Sequence, residues 1–163
     1  MTRLLACLAA AVVVAGCGLA AAPERSDAAV LVGVGDQDAS MFTDPLFTQL
    51  GIKRARYFPS WNVAQKPEEA VWLDQWLAQA AATKTEPLIS FNVALGSACP
   101  KRPCKLPSVR QYTRAFKAFH KRWPQVKVVN PWNEANHRSQ PTFKNPKRAA
   151  QYYNVIRKYC KRC

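Results

Sequence analysis

The stretch NPWNEANH, residues 130–137, carries one carboxylate, Glu134, between Asn133 and Asn136, with Trp132 before it and His137 after. It follows the apolar run VKVVN (126–130), and Pro131 excludes the interior of a helix. A carboxylic acid held among amides can give a proton to a bound polar molecule or take one from it. The neighbouring amides can hydrogen-bond hydroxyl groups on the same molecule. Taken alone, a glutamate beside Arg138 is most simply a surface residue or half of an ion pair. Its position relative to other polar residues decides whether it means more.

Those positions come from the elements. Four apolar runs read as strands: AVLVGVG (29–35), RARYF (54–58), PLISFNV (87–93) and VKVVN (126–130). Runs this apolar are typical of parallel strands covered on both faces. Helical segments alternate with them. DPLFTQLG (44–51) opens on Asp-Pro and stops on glycine. PEEAVWLDQWLAQAAATK (67–84) has acids in its first turn and predicts a buried stripe of Val71, Trp72, Trp76, Leu77 and Ala80. In PSVRQYTRAFKAFHKRWP (107–124), Ser108 and Gln111 form a capping box, and Val109, Tyr112, Phe116 and Phe119 form the stripe. NPKRAAQYYNVIRKYC (145–160) has an Asn145 cap and Pro146 behind it, with a stripe of Ala149, Tyr152, Tyr153, Ile156 and Tyr159. The order is four βα units with parallel strands, an α/β chain. An open doubly wound sheet and a barrel of parallel strands both fit. GVGDQD after the first strand places acids where a phosphate cradle needs a third glycine, which weakens the nucleotide-binding version.

In a parallel barrel the residues after each strand converge on one mouth. Strand one delivers Asp36, Gln37 and Asp38. Strand two carries Arg56 and Tyr57 and leads to Trp61 and Asn62. Strand three ends in Asn92, and strand four leads to Trp132, Asn133, Glu134 and His137. An acid, amides, an arginine and indoles together suit sugar binding. Indole faces stack on sugar C–H groups, while amides and arginine hydrogen-bond the hydroxyls. His137 reads as a substrate contact, and His120, on a cationic helix face, reads as structural or solvent-exposed. No metal and no cofactor are expected.

The N-terminus reads as an address. Arg3 and the apolar run LLACLAAAVVVAG precede VAGC (14–17), which matches a bacterial lipobox. Residues 1–16 are then a lipoprotein signal peptide, Cys17 carries the lipid, and 17–29 form a tether to a domain at 30–163. Cleavage after LAAA, near Ala22, and plain secretion is the alternative. Either way the chain is exported, to the cell membrane in the first case. The formal charge is +14, and removing residues 1–16 takes away one arginine and no acid. So basic a chain fits an anionic neighbourhood of headgroups, cell-wall polymers or acidic glycan. The cations are dispersed and the address is outside the cytoplasm, which argues against nucleic acid.

Cys7 and Cys17 belong to the leader, leaving Cys99, Cys104, Cys160 and Cys163. Outside the cytoplasm four cysteines predict two disulfides, with three possible connectivities. The local pairing, 99 with 104 and 160 with 163, comes first. A four-cysteine zinc site would want tighter pairs than CPKRPC, and a thioredoxin-like CxxC belongs at a helix N-terminus, whereas YCKRC ends a helix.

PWNEAN after a fourth βα strand resembles the clan A glycoside hydrolases, retaining glycosidases on an eight-stranded (β/α) barrel. More narrowly, GVGDQDASMFTDPLFTQLGIKRARY and PWNEANHRSQPT are similar to exported actinobacterial proteins of that class, over about residues 30–163. The resemblance implies half of a TIM barrel. It implies that Glu134 is the general acid/base and that Asn133 binds the sugar 2-hydroxyl. It also implies a sugar contact for Arg56 on strand two. The physical logic agrees, because a glycosidic oxygen is a poor leaving group and needs a positioned acid.

The resemblance also breaks. The clan takes its nucleophilic glutamate from strand seven, and this chain offers four strands. Asp36 or Asp38 as base in an inverting reaction is the alternative within the same chemistry. ATKTEP before strand three lacks the glycine such turns commonly carry. Two functions are therefore expected. One is a glycoside hydrolase-like chain acting on O-glycosyl bonds of a polysaccharide or cell-wall glycan, truncated and inactive alone. The other is a non-catalytic, lipid-anchored glycan- or cell-wall-binding module. Either a missing C-terminal half or a second copy would complete the barrel.

Overall fold

Four strands pair side by side in chain order, β1 (Val34–Gly35), β2 (Arg54–Tyr57), β3 (Glu86–Ser90) and β4 (Val128–Asn130), and every pairing is parallel. The computed structural model describes residues 30–94 and 105–163. The expected leader 1–16, tether 17–29, lipidated Cys17 and Cys99–Cys104 pair lie outside them. Helices α1 (Pro45–Leu50), α2 (Pro67–Ala82), α3 (Val109–Arg122) and α4 (Pro146–Tyr159) alternate with the strands, and 3-10 turns span Ala39–Thr43 and Val63–Gln65. The α/β alternation and the parallel sheet are as expected. None of these helices is long and apolar enough to cross a membrane.

Local chemistry explains the helix ends. The Asp44 carboxylate accepts from Leu46 N at 2.7 Å, Pro45 opens α1, and Gly51 closes it in the left-handed region at φ 63°. The α3 capping box is complete. Ser108 Oγ accepts from Gln111 N at 3.2 Å, and Gln111 Oε1 accepts from Ser108 N at 2.8 Å. Asn145 Oδ1 accepts from Arg148 N at 3.1 Å and starts α4. The turn from α2 to β3 holds Lys84 at φ 54°, so the missing glycine of ATKTEP is felt in the backbone. A side chain in that region is strained by about 1 kcal/mol. Lys84→Gly is therefore expected to raise stability by about 1 kcal/mol, read as a higher urea midpoint at unchanged slope.

One face of the sheet is covered. Ala55, Tyr57 and Ile89, with Phe91 and Val126 beyond the strands, are buried with Leu73, Trp76, Tyr112, Phe116, Phe119 and Tyr152 from the helices. Phe91 meets Phe119 edge-on at 4.9 Å, Phe42 meets Trp76 at 5.0 Å, and Tyr112 stacks on Tyr152 at 4.1 Å. The other face is open. Arg56, Glu86 and Val128 are exposed there, and with Gly35, Arg54 and Leu88 they line a groove of about 630 Å³. The expectation of two covered faces thus holds for one.

Three details differ from the sequence reading. Of the described residues 30–35 of the first run, only Val34–Gly35 pairs, and Leu31 and Val32 face solvent. Helix α2 buries Ala70, Leu73, Trp76, Leu77 and Ala80, while Val71 and Trp72 are 49% and 53% exposed. Helix α4 buries Tyr152, Val155 and Ile156, and Tyr153 is half-exposed.

Cys160 and Cys163 are joined by a disulfide. The helix ends at Tyr159, and Cys160 is already extended (φ −124°), so the bridge closes in the irregular turn beyond it. The disulfide lies beside His120, whose ring offers a donor nitrogen within 4.8 Å of both sulfurs. Sulfurs bonded to each other are not thiolate ligands.

Candidate functional site

The loop after β4 is fixed to the sheet before it reaches Glu134. Phe91 N donates to Asn130 O at 3.1 Å, and Asn133 N donates to Phe91 O at 2.6 Å, so the backbone pairing with the β3 side continues past the strands. Side chains repeat the link. Asn130 Nδ2 donates to Ser90 Oγ at 2.8 Å, and Ser90 Oγ donates to Asn133 Oδ1 at 3.3 Å. Ser90 is fully buried and Asn133 nearly so. Only the oxygen of the Asn133 carboxamide is engaged in this network, which leaves its NH2 group to donate elsewhere. From the other side, Tyr112 Oη donates to Pro131 O at 2.7 Å.

Glu134 follows immediately, exposed and left-handed at φ 46°. Its carbonyl accepts from His137 N at 2.8 Å, which closes the turn beneath it. Glutamate gains nothing locally from this backbone region, where glycine or asparagine is preferred. The carboxylate makes no hydrogen bond or ion pair with the described residues, Arg138 included. His137 is exposed, and its Nδ1 lies 2.8 Å from Ser139 Oγ and accepts from Ser139 N at 3.2 Å. It therefore builds the turn with one nitrogen and leaves the other to solvent.

Trp132 is placed differently from the sequence reading. It is 2% exposed, its ring stacks near Tyr152 at 5.4 Å, and its Nε1 donates to Gln140 Oε1 at 3.1 Å. The indole packs the core beneath the loop and offers no face to a sugar. Trp61 is half-buried against the core. Its N–H donates to Asn92 O at 2.9 Å, and Asn92 N donates to Pro59 O at 2.9 Å, which ties the loop after β2 to the end of β3. Asn92 spends its side-chain oxygen on Val93 N at 2.8 Å. The Asn62 side-chain oxygen beside it is buried with no hydrogen-bond partner among the described residues.

Arg56 stands on the open face of β2, exposed, with its guanidinium 4.4 Å from the Phe58 ring centroid. It forms no ion pair with the described residues. Asp36 and Asp38 are local turn formers. Asp36 Oδ1 accepts from Asp38 N, and Asp38 Oδ1 accepts from Ser40 N, each at 2.9 Å. The Ser40 backbone N–H, and then its hydroxyl, hold the Asp38 carboxyl below the usual carboxylate range. It stays ionised as a helix cap. Trp76 Nε1 donates to Asp36 O at 3.1 Å and anchors this turn from below.

The site therefore divides. Asn133, Glu134 and His137 share one braced loop at the end of β4, and Arg56 projects from the open face two strands away. Asp36 follows β1, at the opposite edge of the sheet from β4. Three strand spacings put those backbones roughly 14 Å apart. Ser90 and Asn130 were not singled out from sequence. Their signal is a serine between Ile89 and Phe91 and an asparagine at the close of VKVVN, polar residues in otherwise apolar strands. No protein-family model matches the chain, and neither a curated protein nor a solved structure matches it.

Proposed function

We propose that this chain is a glycoside hydrolase-like domain that recognises a polysaccharide or cell-wall glycan, with Glu134 as proton donor and Asn133 as hydroxyl ligand. The observation that carries the reading is the Ser90–Asn130–Asn133 network. It pins one amide oxygen, frees the amide NH2, and sets an unpaired carboxylate directly after it. Arg56 adds a cationic donor on the open face.

The strand order supports half of an eight-stranded (β/α) barrel. Sequential parallel pairing lacks the order reversal of a doubly wound sheet. In that reading the open face is the barrel interior, and β1 and β4 are edges awaiting strands from a C-terminal half or a second copy. Export on a lipid carried by Cys17 belongs to the same proposal.

Retaining hydrolysis needs a second carboxylate about 5–5.5 Å from the first. The clan takes that second carboxylate from a seventh strand, and the described residues form four. Glycan binding without turnover is the expectation for these residues by themselves. The test assays the full chain on aryl glycosides and on insoluble polysaccharides, beside Glu134→Gln and Asn133→Ala. Expected are glycan retention that Asn133→Ala lowers at least tenfold, and hydrolysis no faster than in Glu134→Gln. Turnover well above that control overturns the inactivity claim. Neither retention nor turnover on any glycan overturns the proposal.

A further inference from the structure

Charge in this chain is segregated. Nine of its ten acids precede residue 87, whereas residues 87–163 hold seventeen Lys or Arg and one acid, Glu134. The structure gathers many of these cations on one pair of helices. Arg110, Arg114, Lys117 and Lys121 recur at spacings of four, three and four along α3, all exposed, opposite the buried Tyr112, Phe116 and Phe119. Lys147, Arg157 and Lys158 are exposed on α4, with Lys161 just beyond it. The helices lie against each other through stacked Tyr112 and Tyr152.

The two cationic stripes meet. Lys117 Nζ of α3 stands 5.3 Å from the Tyr159 ring centroid, and Lys158 Nζ of α4 stands 5.5 Å from the same centroid. Neither helix contains an acid. Arg122, paired with Asp74 at 2.6 Å, is the cation of α3 and α4 that has a carboxylate partner among the described residues. A merely solvated helix face interleaves both signs, because unrelieved like charge destabilises the fold.

We infer that the exposed face of α3 and α4 docks on a bilayer surface rich in anionic phospholipid. Headgroup phosphates complement a broad array of ammonium and guanidinium groups, and the attraction grows with each cation near the surface. Half-exposed Tyr153 on α4 supplies an amphipathic ring of the type found at membrane interfaces. The choice of a bilayer rests in part on the lipid-anchor reading of Cys17. A lipid on Cys17 would attach the chain to the same leaflet, thirteen residues before the described part begins. A single-stranded nucleic acid would instead want a groove with several stacking rings among the cations.

The experiment uses the full-length chain carrying Cys17→Ala, so that docking is read apart from lipidation. Sedimentation compares phosphatidylcholine vesicles with vesicles containing about one third phosphatidylglycerol, at low and high salt. The residual apolar leader binds both kinds, so the ratio between them reports charge. That ratio is expected to exceed tenfold at low salt and to collapse at high salt. Arg110→Gln, Arg114→Gln, Lys117→Gln and Lys121→Gln together remove one stripe; Lys147→Gln, Arg157→Gln, Lys158→Gln and Lys161→Gln together remove the other. Each set is expected to cut the ratio at least tenfold with an unchanged circular dichroism spectrum. Should one set fail to fold, the other carries the test alone. Equal binding to both vesicles, or an undiminished ratio in a folded variant, overturns the inference. So does release from the vesicles by duplex DNA at equal phosphate concentration, which would make the face a nucleic-acid surface. None of these outcomes bears on glycan retention by Asn133 and Glu134.

Discussion

Trp76→Ala is expected to cost about 3–5 kcal/mol and to leave the protein largely unfolded at physiological temperature. The side chain is fully buried in α2, where it meets Phe42 at 5.0 Å and Tyr57 at 5.2 Å. Its removal opens a cavity between the helix layer and β2 that these rings cannot close. It also strips Asp36 O of its indole donor. Trp76→Phe separates the two effects. It keeps most of the packing, costs about 1–2 kcal/mol, and loosens chiefly the turn at 36–38. Urea melts read the first difference, and faster amide exchange at Asp38 and Ser40 reads the second. A Trp76→Ala protein with a near-wild-type midpoint would mean that this core is not built around the indole.

Stability is expected to hold up to about pH 10 and then fall steeply as pH rises through about 12. Burial, with a contribution from the charge of Tyr152, pushes the Tyr112 hydroxyl well above its usual 10.0. Burial lifts Tyr152 to about 12, against the opposing hydrogen bond and charge of Arg148. Both hydroxyls act as donors in the folded protein, Tyr112 to Pro131 O and Tyr152 to Pro107 O at 2.6 Å. The unfolded chain releases these protons near pH 10, whereas the folded chain keeps them, so each rise in pH above that point favours unfolding. Urea midpoints measured from about pH 8 to 12 should show the decline, and Tyr152→Phe should make it shallower. A midpoint that stays flat above pH 10 would contradict the buried stacked pair.

Much of the scaffold is legible wherever one residue type has one local reason to be present. Asp44-Pro45 and Gly51 bracket α1, and Ser108 with Gln111 starts α3, because capping is chemistry between near neighbours. The place of Glu134 after β4 could be read for a similar reason, since VKVVN followed by proline ends a strand. What stayed hidden depends on partners distant in sequence. Apolarity alone does not say whether Leu31 and Val32 find a neighbouring strand, and they do not among the described residues. The buried stripe of α2 turns on Ala70 and Leu73, and alanine contributes so little to a periodic pattern that Val71 and Trp72 appear to define it. Trp132 could equally have roofed a sugar site or filled the core. Only the position of Tyr152, twenty residues later, decides for the core.

The order of the strands in space repeats their order in the chain, β1, β2, β3, β4. Each strand therefore pairs with one already synthesised, and none leaves a gap for a later segment to fill. Loop closures stay short, which favours rapid assembly. A chain emerging N-terminus first can dock each βα unit on the growing edge as it appears. The growing edge then advances with each unit, while the outer edge of β1 stays unpaired among the described residues throughout. Stalled or shortened chains ending after α2 or α3 should for the same reason hold native pairing up to their last complete strand, a sheet that grows by addition and never by rearrangement.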